Sequence, residues 1–158
     1  MRTIYAILAI SLLIFLAGVA FFVTGLRSDE QAPAAESVAS VKQIMQGIVV
    51  PASMTIYNAV STTVSEKGTQ EVFPRNDREW EVVGSSAVAL VEAASLLKVG
   101  GRAKDRGDWP RMSDAMAKAA MQSYRAAAKK DVESLLAAGE VLNNSCSSCH
   151  RNYDVPID

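Results

Sequence analysis

The distribution of apolar residues along the chain indicates helices. In four stretches the apolar residues recur three or four positions apart, and none of these stretches shows the sustained alternation that a half-buried strand needs. This spacing places the apolar side chains on one face of a helix, so we predict an all-α domain. The four helices are expected to begin, in order, near Glu36, after Asn76 or Asp77, at a cap on Asp108, and near Lys130 or Asp131.

The first of these helices is expected to reach about Thr62 and to be interrupted. Pro51 removes a backbone donor and clashes with the preceding turn, so we expect a kink or a break between Gly47 and Pro51. A long connection from about Thr63 to Asn76 should follow. The predicted apolar stripe of this helix consists of Val38, Val41, Met45, Ile48, Ala52, Ile56 and Val60.

The last helix has the most regular pattern in the chain. Its apolar stripe keeps spacings of three and four without a slip and includes both cysteines, so we expect the two thiols on the face that meets the other helices. Four amphipathic helices with short or moderate connections predict a four-helix bundle. The stripe consists of Val132, Leu135, Gly139, Leu142, Cys146, Cys149 and Tyr153.

The N-terminus adds a segment of another kind. The run from Ile4 to Leu26 has no charged residue and is long enough for a helix to cross a bilayer. We predict a transmembrane anchor over 1–27, a tether over 28–35 and one helical domain over 36–158. The alternative is a cleaved secretory signal, whose apolar segment is usually shorter, and both interpretations send the remaining residues to the same side.

The charge balance is mildly acidic. The chain has 16 Lys and Arg residues and 17 Asp and Glu residues, a formal net charge of −1. Proteins that bind nucleic acid normally carry a basic excess and a basic stripe. We therefore expect no nucleic-acid partner.

The candidate chemistry lies near the C-terminus. The segment from Cys146 to His150 reads C-x-x-C-H and contains both cysteines and the only histidine of the chain. This order and spacing are typical of covalent c-type haem attachment. On a helix, Cys146 and Cys149 share a face, so both thiols can form thioethers with one porphyrin while His150 ligates the iron. We predict one haem c, attached outside the cytoplasm.

Other uses of these residues were weighed. A structural zinc site needs about four ligands, and the chain has no further cysteine or histidine. A C-x-x-C redox pair usually opens a helix after a strand, whereas this one closes a long helical pattern. A lone disulfide would leave His150 without a role.

Over about residues 36–154 the chain resembles the class II c-type cytochromes, the cytochrome c-prime family, which are four-helix bundles with C-x-x-C-H near the end of the last helix. Segment 41–46 looks like the ligand region of the family's low-spin branch, which implies Met45 as the sixth iron ligand. The high-spin branch has five-coordinate iron and binds small gases. Family members often pair through their first two helices, which implies a homodimer.

These expectations lead to one function and one alternative. We expect a single-pass inner-membrane cytochrome with its haem domain in the periplasm, or a soluble periplasmic form after signal cleavage. It would pass electrons between redox partner proteins and would not be an enzyme. The alternative is a gas-binding or sensing protein with an open sixth site.

Two further residues of the first helix bear on the haem site. Met54 is nine residues from Met45 and should face the opposite way, and Lys42 is a candidate partner for a haem propionate.

Overall fold

The computed structural model describes residues 2–26, 38–66, 68–99 and 101–153. The chain divides into two compact units, 1–34 and 35–158. The first unit contains helix α1, Arg2–Leu26. No helix within the described residues is long and apolar enough to cross a membrane. The predicted tether over 28–35 lies outside the described residues, as do Glu36 and the tail 154–158.

The first helix of the second unit consists of three consecutive segments. They are helix α2, Val41–Ile44, a π-helical segment, Met45–Val49, and helix α3, Val50–Ala59. Ser40 begins α2 with a capping box: its hydroxyl accepts a hydrogen bond from the Gln43 amide, and the Gln43 side chain accepts one from the Ser40 amide. The predicted interruption near Pro51 takes the form of the π-helical segment, in which the Val50 amide donates to the Met45 carbonyl.

The π-helical segment changes which residues face the core. A step of five residues separates the buried Ile44 from the buried Val49, and the stripe then continues through Ala52, Ile56 and Val60. Of the predicted stripe, Val41, Met45 and Ile48 are half-buried and pack against the edge of the core. The predicted stripe was wrong at Val38, which precedes the helix and is 97% exposed.

A β-hairpin occupies most of the predicted connection. Strands β1, Ser61–Ser65, and β2, Gly68–Val72, pair antiparallel with Ser61 opposite Val72. Every described residue of the two strands is exposed, so neither face has the apolar pattern by which strands are recognised in a sequence. Phe73, directly after β2, returns to the domain and packs against the core.

Helices α4, Asp77–Leu96, and α5, Asp108–Lys129, follow the hairpin. Asn76 caps α4 by accepting a hydrogen bond from the Glu79 amide, as predicted. The predicted cap of α5 was wrong: Asp108 is its first residue, and Asp105 accepts from the amides of Gly107 and Trp109 instead.

Helix α6, Val132–Tyr153, completes the domain. The chain enters it through Lys130, which has a left-handed conformation, and Asp131, whose carboxylate accepts hydrogen bonds from the Ser134 amide and hydroxyl. Of the predicted stripe, Leu135 and Leu142 are fully buried, whereas Val132 at the start of the helix is 37% exposed.

The core forms where these helices pack together. Helix α5 packs between α4 and α6, and α3 packs against both α4 and α6. Small residues bring α4 and α5 close: a Cβ on Gly84 would already contact the Tyr124 ring and Ala127. The described part of the chain is mainly helical, which confirms the prediction of an all-α protein at that level, with the hairpin as an addition.

Candidate functional site

The C-x-x-C-H segment lies in the last two turns of α6. Helix α6 is continuous through Tyr153, so Cys146 and Cys149 are one turn apart and His150 follows directly. All three side chains are half-buried, and both cysteines are free thiols. The structure thus presents two thiols and one imidazole together, partly shielded from water.

Helix α3 contributes Tyr57 to this site. Its hydroxyl lies beside the Cys146 thiol, and its ring lies over Gly139, where a Cβ would be 3.8 Å from Tyr57 Cδ1. Burial, together with the neighbouring Cys146, raises the pKa of Tyr57, and the phenol stays protonated at neutral pH. Tyr57 therefore joins α3 to the end of α6 that carries the C-x-x-C-H segment.

The two cysteines are held as thiols. Burial raises the pKa of Cys146, and burial followed by the influence of Cys146 raises the pKa of Cys149. Since the thiolate is the nucleophile and the metal ligand, raised pKa values make both cysteines less reactive than exposed ones at neutral pH. Both cysteines could therefore be available for thioether formation with one porphyrin.

His150 carries an unsatisfied polar atom. Its Nδ1 is buried and has no hydrogen-bond partner within the described residues. Leaving a buried nitrogen unpaired typically costs about 1–3 kcal/mol, so such atoms in native proteins call for an explanation. A half-buried imidazole with an unpaired nitrogen is suited to bind a metal.

Two side chains from outside α6, Asp105 and Trp109, hold its last residue, Tyr153. The Tyr153 hydroxyl donates a hydrogen bond to Asp105, and the Tyr153 ring meets the Trp109 ring edge to face, with centroids 4.9 Å apart and an interplanar angle of 76°. The indole nitrogen of Trp109 donates to the Leu97 carbonyl at 2.7 Å. These contacts connect the helix that carries the motif to the start of α5.

A groove between α3 and α6 runs toward the site. Its volume is about 310 Å³, and Tyr57 and Gly139 form part of its wall. The remaining lining residues are mostly apolar: Ile56, Val60, Leu135, Leu136, Glu140 and Asn143. Tyr57, which lines the groove, is a neighbour of Cys146. The groove could therefore hold part of a flat apolar group attached at Cys146.

The other predicted site residues lie on the first helix. Met45 is half-buried in the π-helical segment and packs against the core, whereas Met54 is 47% exposed, as its spacing predicted. Lys42 is exposed in α2. The π-helical segment packs against α4. Iron ligation by Met45 and propionate binding by Lys42 stay predictions.

The described residues contain no group of three or more His, Cys, Asp and Glu side chains placed to hold a metal ion. A metal bound by His150 would therefore need most of its other ligands from a cofactor or from solvent. A porphyrin supplies most of the iron's ligands itself and asks a protein for only one or two axial atoms.

Three contributors to the site were not identified from the sequence. Tyr57 is 89 residues from Cys146, and Asp105 is 48 residues from Tyr153, so only the folded chain brings each pair together. Trp109 was expected to pack in the core or at the haem edge, and its contact with Tyr153 was not foreseen. A tyrosine next to the apolar stripe of the first helix was the one available signal, and it does not indicate which side chain it meets.

Comparison of the chain with protein-family models, with curated proteins and with solved structures found no match. The functional interpretation therefore depends on the residues described above.

Proposed function

We propose that this protein is a membrane-tethered c-type cytochrome that carries single electrons between redox partner proteins in the periplasm, and that it is not an enzyme. The observation that carries the proposal is the placement of Cys146, Cys149 and His150 on adjoining turns of α6, half-buried and free to react. Two thiols and one imidazole at this spacing match what covalent haem requires.

Each residue has a defined task in this proposal. Cys146 and Cys149 form the two thioether links, which fix the porphyrin against the inner face of α6. His150 ligates the iron through one ring nitrogen. When bound, the haem iron supplies the one-electron change between ferric and ferrous states. The α3–α6 groove and Tyr57 shield the attachment side from water.

The architecture supports the same proposal. Helices α3, α4, α5 and α6 pack against one another, and the motif is in the last of them. We propose that they form a four-helix bundle that holds haem between facing helices, as in the class II cytochromes that the sequence resembles. A homodimer through the first two helices is part of that proposal.

Met45 is the proposed sixth ligand, with Lys42 nearby as the propionate partner. A methionine ligand raises the reduction potential and keeps six ligands in both oxidation states. One observation favours the second candidate function, gas binding or sensing. Because of the π-helical segment, Ile44 and not Met45 occupies the buried stripe, and Met45 lies beside that stripe. A methionine there would be displaced more readily by a small gas.

The proposed location is the inner membrane. Helix α1 exposes a long series of apolar side chains, which include Ile4, Leu8, Leu12, Leu13 and Phe15. Extraction of the full chain from cell membranes tests this: an anchored protein stays in the membrane pellet after high-pH washing and is released by detergent. Release by the wash alone would contradict the anchor.

Absorption spectra of the purified protein test the function. An electron carrier with Met/His ligation should be low-spin in both oxidation states and should react slowly with carbon monoxide. A high-spin spectrum with immediate carbon monoxide binding would support the gas-binding candidate. A protein without a haem spectrum, produced in cells that mature c-type cytochromes, would contradict both.

A further inference from the structure

The haem-motif end of α6 needs a fixed support. Cys146, Cys149 and His150 all lie in the last eight residues of the helix, 146–153, where helices fray because their final carbonyls lack intrahelical partners. Of this segment, only Cys146 and Tyr153 pack against the hydrophobic core. A side chain near the end must therefore hold the turn that presents His150.

Tyr153 is held at two points. Its ring packs edge to face on Trp109, and its hydroxyl donates to Asp105. Because Tyr153 is three residues beyond His150, both side chains lie on neighbouring parts of the same helix face. Opening of the last turn of α6 would therefore displace both side chains.

The partners of Tyr153 are themselves fixed. Trp109 is 2% exposed, and its indole N–H donates to the Leu97 carbonyl at the end of α4. Asp105 uses one carboxylate oxygen to accept from the amides of Gly107 and Trp109, at 2.8 and 3.0 Å, and the other to accept from Tyr153. One aspartate thereby caps α5 and fastens the end of α6.

We propose that Tyr153 is a positioning residue for the haem ligand His150, acting through its hydrogen bond to Asp105 and its packing on Trp109. This inference rests on the proposed function, because the turn it fixes matters as a haem site. Without the hydroxyl the last turn of α6 opens more often, and His150 is presented less uniformly. The paired pKa directions agree with the bond: partial burial and Asp105 raise the pKa of Tyr153 to about 12, and Tyr153 lowers that of Asp105.

The test compares Tyr153→Phe with Tyr124→Phe in the haem-loaded full chain. Tyr153→Phe keeps the ring on Trp109 and deletes only the hydroxyl, whereas Tyr124 is an exposed tyrosine on α5 and serves as the matched control. Amide hydrogen exchange should accelerate roughly five- to tenfold in 146–153 for Tyr153→Phe, the effect of losing one hydrogen bond. Exchange in 132–142 should stay unchanged, which separates local opening from general destabilisation.

A second readout reports the ligand itself. Circular dichroism in the Soret band depends on how the haem is held, and it should change in Tyr153→Phe and in Asp105→Asn but not in Tyr124→Phe. The double variant, Tyr153→Phe with Asp105→Asn, should exchange no faster than Tyr153→Phe alone, since asparagine keeps the oxygen that accepts from Gly107 and Trp109 and Asp105 otherwise acts through the Tyr153 hydroxyl. Unchanged exchange and an unchanged Soret signal in Tyr153→Phe would overturn the inference while leaving the haem proposal intact. Absence of haem from the wild-type protein would instead overturn the proposed function.

Discussion

At the scale of single residues, the candidate site depends on side chains that hold the C-x-x-C-H segment from three directions. Tyr57 meets Cys146 from α3, Asp105 meets Tyr153 from the loop before α5, and Trp109 supports the Tyr153 ring. His150 alone is left with an unpaired buried nitrogen among these described residues. A polar atom left unpaired inside an otherwise bonded site is typical of a functional group.

Met45→Leu tests the sixth ligand, with Met54→Leu as its control. Both methionines lie on the same helical stretch, but Met45 packs against the core and Met54 is 47% exposed. If Met45 ligates the iron, Met45→Leu should convert the ferric spectrum from low-spin to high-spin and lower the midpoint potential, because the thioether stabilises ferrous iron. Met54→Leu should change neither. Identical ferric spectra for the wild type and both variants would show that Met45 does not ligate the iron.

At the scale of elements, the uninterrupted helices could be predicted and the irregular ones could not. In α4, Trp80, Val83 and Leu90 follow one another at helical spacing and are all buried, because the period of 3.6 residues persists along that helix. The interruption of the first helix was predicted between Gly47 and Pro51, but its π-helical form was not, because a fixed period cannot show that one residue is inserted. The hairpin was missed since both of its faces are exposed.

The caps show the same division. Asn76 precedes its helix directly and was predicted, whereas Asp105 reaches α5 across the turn through Gly107 and also bonds Tyr153. Local caps follow from neighbouring residues. The double role of Asp105, which bonds both α5 and α6, can be recognised only in the tertiary structure. The contacts between the motif and its supports were therefore beyond sequence reasoning, although the motif itself was not.

Asp131→Asn tests the cap of α6 through its pH dependence. The Ser134 hydroxyl and then the Ser134 amide hold the pKa of Asp131 below its ordinary value of 3.8. A lowered folded-state pKa gives stability that is present above 3.8 and lost as the pH falls below it. Asparagine also caps helices, but it lacks the charge that gives this stability, so the variant should melt somewhat below the wild type at pH 7.

The melting temperature of Asp131→Asn should then fall less than that of the wild type between pH 5 and pH 3, followed by circular dichroism at about 222 nm, since asparagine does not titrate. If the melting temperatures of the two proteins fall by the same amount as the pH is lowered, the Asp131 carboxylate contributes nothing to acid sensitivity.

At the scale of the whole molecule, one core joins all the long helices of the second unit. Leu90 of α4, Ser123 of α5 and Leu142 of α6 are each 0% exposed. Leu142 is one turn before Cys146, so the same packing that stabilises the domain also fixes the approach to the motif. Stability and site geometry are thus linked through α6.

Leu142→Ala tests that link, with Leu136→Ala as its control. Leu142 is 0% exposed and Leu136 is 51% exposed on the same helix. Truncation of a fully buried leucine leaves a cavity and should lower the free energy of unfolding by about 2–5 kcal/mol. The exposed leucine should change it by about 0.5 kcal/mol or less. Urea unfolding of both variants measures the difference, and similar losses would place α6 outside the core.

Covalent haem on Cys146 and Cys149 is the central claim, and intact mass under denaturing conditions tests it most directly. The chain is produced with the cytochrome c maturation system, extracted with acid and acetone to remove non-covalent haem, and weighed beside a Cys146→Ser, Cys149→Ser variant. The account predicts that the wild type retains the mass of one haem and that the double variant has the mass of the bare chain. A wild-type protein that weighs no more than its sequence would contradict it.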